Sequence, residues 1–161
     1  MSGDEKNRQY IAHLAEEQLA NLETASDLVD RKAGTLLGFV AVIISLSLGI
    51  GFSASSSYLD KVFVYAAFLL LFAALVCLIL SISPKVKHYD PNPIALMERY
   101  WTQDYEKTMG TVVSNMVQAW GKNKGVHDKK VEWYGRALLP TVLGLSLLAF
   151  DVLVIRVFGG G

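Results

Sequence analysis

Residues 62–83 read VFVYAAFLLLFAALVCLILSIS, 22 consecutive positions without a charge. A helix rises about 1.5 Å per residue, so about 20 residues cross a hydrocarbon core about 30 Å thick. Working outward, residues 33–52, AGTLLGFVAVIISLSLGIGF, form a second uncharged run of 20. Residues 137–150, ALLPTVLGLSLLAF, form a third of 14; beyond Asp151 it resumes as VLVI, making 19 residues with one acid. A chain of 161 residues has too little mass to cover such helices on all sides in water. The sequence therefore predicts an all-α integral membrane protein. Three transmembrane helices are expected at 33–52, 62–83 and 137–157. Cytoplasmic amphipathic helices are expected at 4–32 and within 94–136, the whole forming a single domain over 1–161. The first run follows 32 mostly polar residues and lacks a small-x-small cleavage end, so it is not a secretory signal.

Composition agrees. Hydrophobic residues make up 52% and charged residues 19%, with a mean hydropathy of +0.34. That balance excludes a disordered chain and departs from an ordinary water-soluble domain. Fifteen basic residues match fifteen acidic ones, so overall charge gives no reason to expect a nucleic-acid partner. The single cysteine, Cys77, lies inside the second run, which leaves no disulfide framework.

The basic residues orient the chain. Lys6, Arg8, Arg31 and Lys32 precede the first span, and nine more lie between the second and third. Only Lys61 and Arg156 fall on the other side, a division of thirteen to two. By the positive-inside rule the N-terminus is expected in the cytoplasm and the C-terminus outside, in the cell (inner) membrane. The loop SASSSYLDK, residues 53–61, is short enough to make the first two spans antiparallel neighbours.

In the segment 4–32, Ile11, Ala15, Gln18, Leu22, Ala25 and Val29 recur at steps of four and three. This spacing predicts one packing face, and nothing between Asp30 and Ala33 breaks the helix before the first span. Pro84 is expected to stop the second span, and HYDPNP, residues 88–93, reads as a connector. A second amphipathic helix is expected from about 94 to 120, with Trp101, Tyr105, Met109, Val112, Met116 and Trp120 on one face. The glycines of GKNKG, residues 121–125, are expected to weaken or end it. Pro140 would then sit in the first turn of the third span, where proline is tolerated.

No catalytic constellation emerges. His13, His88 and His127 have no partner at metal-ligand spacing, and neither a phosphate-binding glycine loop nor a GxSxG elbow occurs. The expectation is a protein that is not an enzyme and holds no metal or cofactor. Within the spans, Gly34, Gly38, Ser45 and Gly49 present small residues to one side of the first helix. Small faces let helices approach closely in lipid. They suit a homo-oligomer or an intramolecular contact, although glycine is common in membrane helices generally. Asp151 is the one acid placed to fall within the hydrocarbon. There it would mark a polar path; at the outer interface it would cost little. Arg31, Lys32, Lys129, Lys130 and Arg136 gather beside the spans. Basic residues so placed hold topology and touch anionic headgroups, or form a ring for an anionic ligand such as a nucleotide phosphate.

Two stretches carry a resemblance. Asp30-Arg31-Lys32-Ala33-Gly34-Thr35-Leu36-Leu37, entering the first span, resembles the Asp-x-Lys-Ala-x-x-Leu-Leu entrance of the small membrane effectors of the Pycsar anti-phage system. Lys130-Val131-Glu132-Trp133-Tyr134-Gly135-Arg136-Ala137-Leu138 is similar to the Lys-aromatic and Ala-Leu stretch that leads into their last span. In this chain the aromatics are displaced to Trp133 and Tyr134. The likeness runs from about Leu22 to Leu153. It implies a membrane protein held quiet until a cyclic pyrimidine nucleotide made during infection activates it, whereupon it perturbs the inner membrane. The sequence contains no recognisable cyclic-nucleotide fold. The alternatives are a non-enzymatic membrane scaffold or partner-binding module, and a small channel.

Overall fold

The computed structural model describes residues 3–54, 58–83 and 105–158. These form three helices: α1, Gly3–Ala54; α2, Tyr58–Ile82; and α3, Tyr105–Phe158. Pro84, the connector at 88–93 and the expected helix start at 94–104, with Trp101, lie outside the described residues. All three helices are long and apolar enough to cross a membrane. α1 has 52 residues and α3 has 54. Each is thus about 80 Å long, so less than half of either is needed to cross a bilayer core.

α1 runs unbroken through Asp30–Ala33, as its uninterrupted sequence allows. α3 corrects the expectation at residues 121–125, where the helix continues through Gly121 and Gly125. Each glycine costs a helix about 1 kcal/mol relative to alanine. Burial of Ala119 and Asn123 works against that cost, and the exposed Lys124–Asp128 ion pair one turn apart, 3.0 Å, adds about 0.3–0.5 kcal/mol. Pro140 likewise lies deep inside α3 rather than in a first turn. Proline removes one backbone donor and crowds the preceding turn. Its neighbours Ala137 and Thr141 are buried, and the Thr141 hydroxyl donates to the Ala137 carbonyl at 2.7 Å.

Burial follows a period of seven. In α1 the most buried positions are Leu19, Ser26, Ala33 and Val40; in α3 they include Asn123, Lys130, Ala137 and Asp151. In α2 they are Val64, Ala67, Leu71, Ala74, Leu78 and Ser81, alternating by three and four. A seven-residue repeat keeps one seam facing a neighbour when helices supercoil left-handedly. The seam expected in the N-terminal segment is therefore displaced: Ile11 and Gln18 are exposed, whereas Leu19 and Ser26 are buried. The small size of Ser26 suits it to a tightly packed position that a polarity count would leave outside.

The chain divides into two compact units. The first comprises residues 1–28 and 84–129. Within it the starts of α1 and α3 run parallel. A water-sized cavity of 10 Å³ lies among Leu22, Glu23, Ser26, Asn123 and Val126. A shallow apolar groove of 240 Å³ is lined by Ile11, Leu14, Ala15, Gln18, Val117 and Trp120.

The second unit comprises residues 29–83 and 130–161. It is a three-helix bundle in which α2 runs antiparallel to α3: contacts descend α2 from Ser81 through Leu71 to Phe63 as they ascend α3 from Lys130 through Gly144 to Phe150. Its outer surface is apolar, with Leu69 72% and Leu139 67% exposed. Large apolar side chains spread over a bundle this small require lipid around it.

Candidate functional site

The two stretches singled out in the sequence meet at one end of the second unit. Asp30 of α1 and Lys130 of α3 form an ion pair, Nζ to Oδ2 2.5 Å. The Lys130 side chain is only 5% exposed and that of Asp30 is 30% exposed. The Asp30 Oδ1 atom is buried without a hydrogen-bond partner among the described residues. From α2, the fully buried Ser81 hydroxyl donates to the Lys130 carbonyl at 3.0 Å. Six other hydroxyls, those of Thr24, Thr35, Ser45, Thr111, Thr141 and Ser146, bond back to carbonyls of their own helix four residues earlier. Ser81 instead ties α2 to α3 at the residue that α3 uses to hold α1.

Next to this polar layer lies an apolar one. Ala33, Leu78 and Ala137 are fully buried together, with Leu36, Leu37, Cys77, Ile82 and Tyr134 packed around them. The Asp, Ala and Leu-Leu positions of the first stretch, and the Lys, aromatic and Ala positions of the second, thus fall into two adjoining layers. The two alanines place no bulk between the helices, which brings their backbones close. Further along, Gly144 does the same: a Cβ built there would lie 2.8 Å from Leu71 Cγ and 3.2 Å from the Ala67 carbonyl oxygen. At the far end Phe63 and Phe150 meet edge to face, centroids 5.9 Å apart.

The five basic residues of the expected ring are not equivalent. Lys130 is buried in its pair with Asp30. Arg136 is exposed, bonds Glu132 of its own helix at 2.5 Å, and lies 4.8 Å over the Trp133 ring. Arg31, Lys32 and Lys129 are exposed, Lys129 being the last residue of the first unit. The small face of α1 is open as far as the described residues go: among them, a Cβ at Gly34 or Gly38 would meet nothing within 4 Å. Ser45 is exposed and donates to the Ala41 carbonyl, and Gly49 continues along α1. Asp151 is 7% exposed, one residue beyond the Phe150 contact. Sequence reasoning missed Ser81 and Gly144. The signal that would have found Gly144 is its place seven residues after Ala137 and seven before Asp151.

Three long apolar helices, no strand among the described residues, and an apolar outer surface define a multi-pass membrane protein of the all-α class. Residues 14–158 match the family described as Pycsar effector protein domain (PycTM). The chain belongs to that family and is a membrane effector in anti-phage defence. The match covers α1 from residue 14 onward and the whole of α2 and α3, including both stretches that carried the resemblance. Comparison with curated proteins gave no match, and comparison with solved structures gave none.

Proposed function

We propose that this effector lies in the inner membrane with its N-terminus in the cytoplasm and its C-terminus outside. There it assembles as a homo-oligomer and perturbs membrane integrity when a cyclic pyrimidine nucleotide appears. The observation that carries the reading is the open small face of α1. Among the described residues, a Cβ added at Gly34 or Gly38 would meet nothing within 4 Å, yet the exposed Phe39, Val42 and Leu46 flank them. A second copy packing there, with Ser45 and Gly49 continuing the face, would bury backbone against backbone, the kind of contact that drives association in lipid. Within the second unit, the exposed Arg31, Lys32 and Arg136 supply a positive field for a nucleotide phosphate, with Lys130 held in reserve by Asp30. In this reading the effector acts through helix packing rather than catalysis. A ligand shifts that packing only by binding one arrangement better than the other.

Expression in bacteria with a cyclic pyrimidine nucleotide supplied tests the proposal. The expected result is loss of membrane potential and entry of an impermeant DNA dye within minutes, blocked by Gly34→Leu with Gly38→Leu. Intact potential at saturating nucleotide, with the protein demonstrably in the membrane, contradicts it. A second reading, a partner-binding module, has the groove of the first unit in its favour. Ile11, Leu14 and Val117 are exposed there beside Trp120, away from the uncharged runs. Crosslinking in native membranes separates the two, since self-products alone favour the effector and a distinct partner favours the module.

A further inference from the structure

The ion pairs Lys124–Asp128 and Arg136–Glu132 each stay on one helix and are exposed. Asp30–Lys130 joins two helices and is largely buried. A buried pair of this kind is seldom an efficient source of stability, because desolvating both charges consumes most of their attraction, and well-packed apolar residues often do as well or better. The pair is also incompletely satisfied among the described residues: one Asp30 oxygen takes the ammonium, while the other is buried and finds no donor among them. Among the described residues, one charge contact therefore joins α1 to α3 in this polar layer. Once that contact breaks, Lys130 cannot stay where it is, because a buried unpaired ammonium beside an apolar layer must reach water or an anion. Its backbone carbonyl also holds Ser81 of α2, so displacement at Lys130 loosens all three helices at that end.

We propose that the Asp30–Lys130 pair is an autoinhibitory latch: paired, it holds the second unit closed, and unpaired, it lets that end of the bundle open. The function of the latch rests on the membrane-perturbing reading above, but its existence does not. The two charges are unequal. Asp30, the more exposed, can turn toward water when its partner is lost, whereas Lys130 cannot without moving helices. Removing Asp30 therefore opens the bundle more than removing Lys130.

The chain's single cysteine reports the opening. Cys77 is half-buried and packs against the Ala33–Leu78–Ala137 layer. A thiol reacts as its thiolate, which forms when water reaches it. Full-length protein in phosphatidylethanolamine–phosphatidylglycerol vesicles is labelled with N-ethylmaleimide, with helix content followed by circular dichroism. Asp30→Ala is expected to label about tenfold faster than wild type or more, and Lys130→Met less so. The swap Asp30→Lys with Lys130→Asp is expected to return toward the wild-type rate. The apolar pair Asp30→Leu with Lys130→Met is expected to label no faster than wild type. Wild-type labelling in a fully helical Asp30→Ala protein overturns the latch, as does a swap that labels as fast as Asp30→Ala. Should Asp30→Ala fail to fold, Asp30→Asn keeps the shape and loses the charge; it should label faster than wild type, and unchanged labelling in that folded variant also overturns the proposal. Dye release from the same vesicles separates the two ideas. Faster labelling without release keeps the latch and removes the permeability reading, whereas unchanged labelling removes the latch whatever release shows.

Discussion

Gly144 is the position where the packing of the second unit can be tested with one methyl group. A Cβ at this site would lie 2.8 Å from Leu71 Cγ, 2.9 Å from Leu71 Cδ2 and 3.2 Å from the Ala67 carbonyl oxygen. Non-bonded carbons rest at about 3.5–4.0 Å, so the methyl arrives roughly 0.7 Å or more too close. Leu71 and Ala67 are both fully buried in α2, which leaves the leucine little room to turn away and the carbonyl none. Overpacking of this kind costs about 1–3 kcal/mol. Alanine is a better helix former than glycine by about 1 kcal/mol, which opposes it. The net expectation for Gly144→Ala is a loss of about 1 kcal/mol, within a range of about 0–2, or a melting temperature lower by roughly 2–4 °C for a chain of this size. Gly144→Leu should fail to form the bundle. Gly34→Ala and Gly38→Ala supply the contrast, because nothing lies within 4 Å of a Cβ there and only the propensity gain remains. Thermal unfolding in mild detergent, followed by circular dichroism at low protein concentration, measures all three. The reasoning is refuted if Gly144→Ala melts at or above wild type, or if the three alanines behave alike.

Three further outcomes are expected. Ser81→Ala removes the hydroxyl that joins α2 to the Lys130 carbonyl and should lower stability by about 0.6–1.7 kcal/mol, the range of interhelical hydrogen bonds in lipid; an unchanged melt would show that the bond does not hold the bundle. A double-mutant cycle between Phe63→Leu and Phe150→Leu should give a coupling of about 0.5–1.5 kcal/mol from the edge-to-face rings, and additive effects would place the rings apart. Gly34→Leu with Gly38→Leu should shift native mass spectra in mild detergent toward monomer while leaving helix content unchanged; persistence of the oligomer would move the interface away from α1.

The membrane helices were legible because their signal is local. An uncharged run of 20 or 22 residues states its own environment, whatever its neighbours do. The continuity of α3 was not legible, because glycines at 121 and 125 and a proline at 140 weigh against a helix on propensity alone. Burial of Asn123, Ala137 and Thr141 tips the balance back toward helix, and burial depends on partners elsewhere in the chain. The same limit applies to the charged junction. Asp30 and Lys130 both stood out in their stretches, but their pairing spans one hundred positions, and nothing near either residue announces it. Gly34 and Gly38 looked like the close-packing glycines, yet inside the protomer that part belongs to Gly144. Glycine spacing shows where helices can approach, and the partner helix decides where they do.

The most direct measurement is release of an entrapped fluorophore from vesicles containing the purified full-length chain, with and without cyclic pyrimidine nucleotides. Rapid release that needs the nucleotide, grows steeply with protein density and disappears on changing Gly34 and Gly38 to leucine is the predicted result. Vesicles that stay sealed at high protein density with every such nucleotide, while the helices remain inserted, would contradict it.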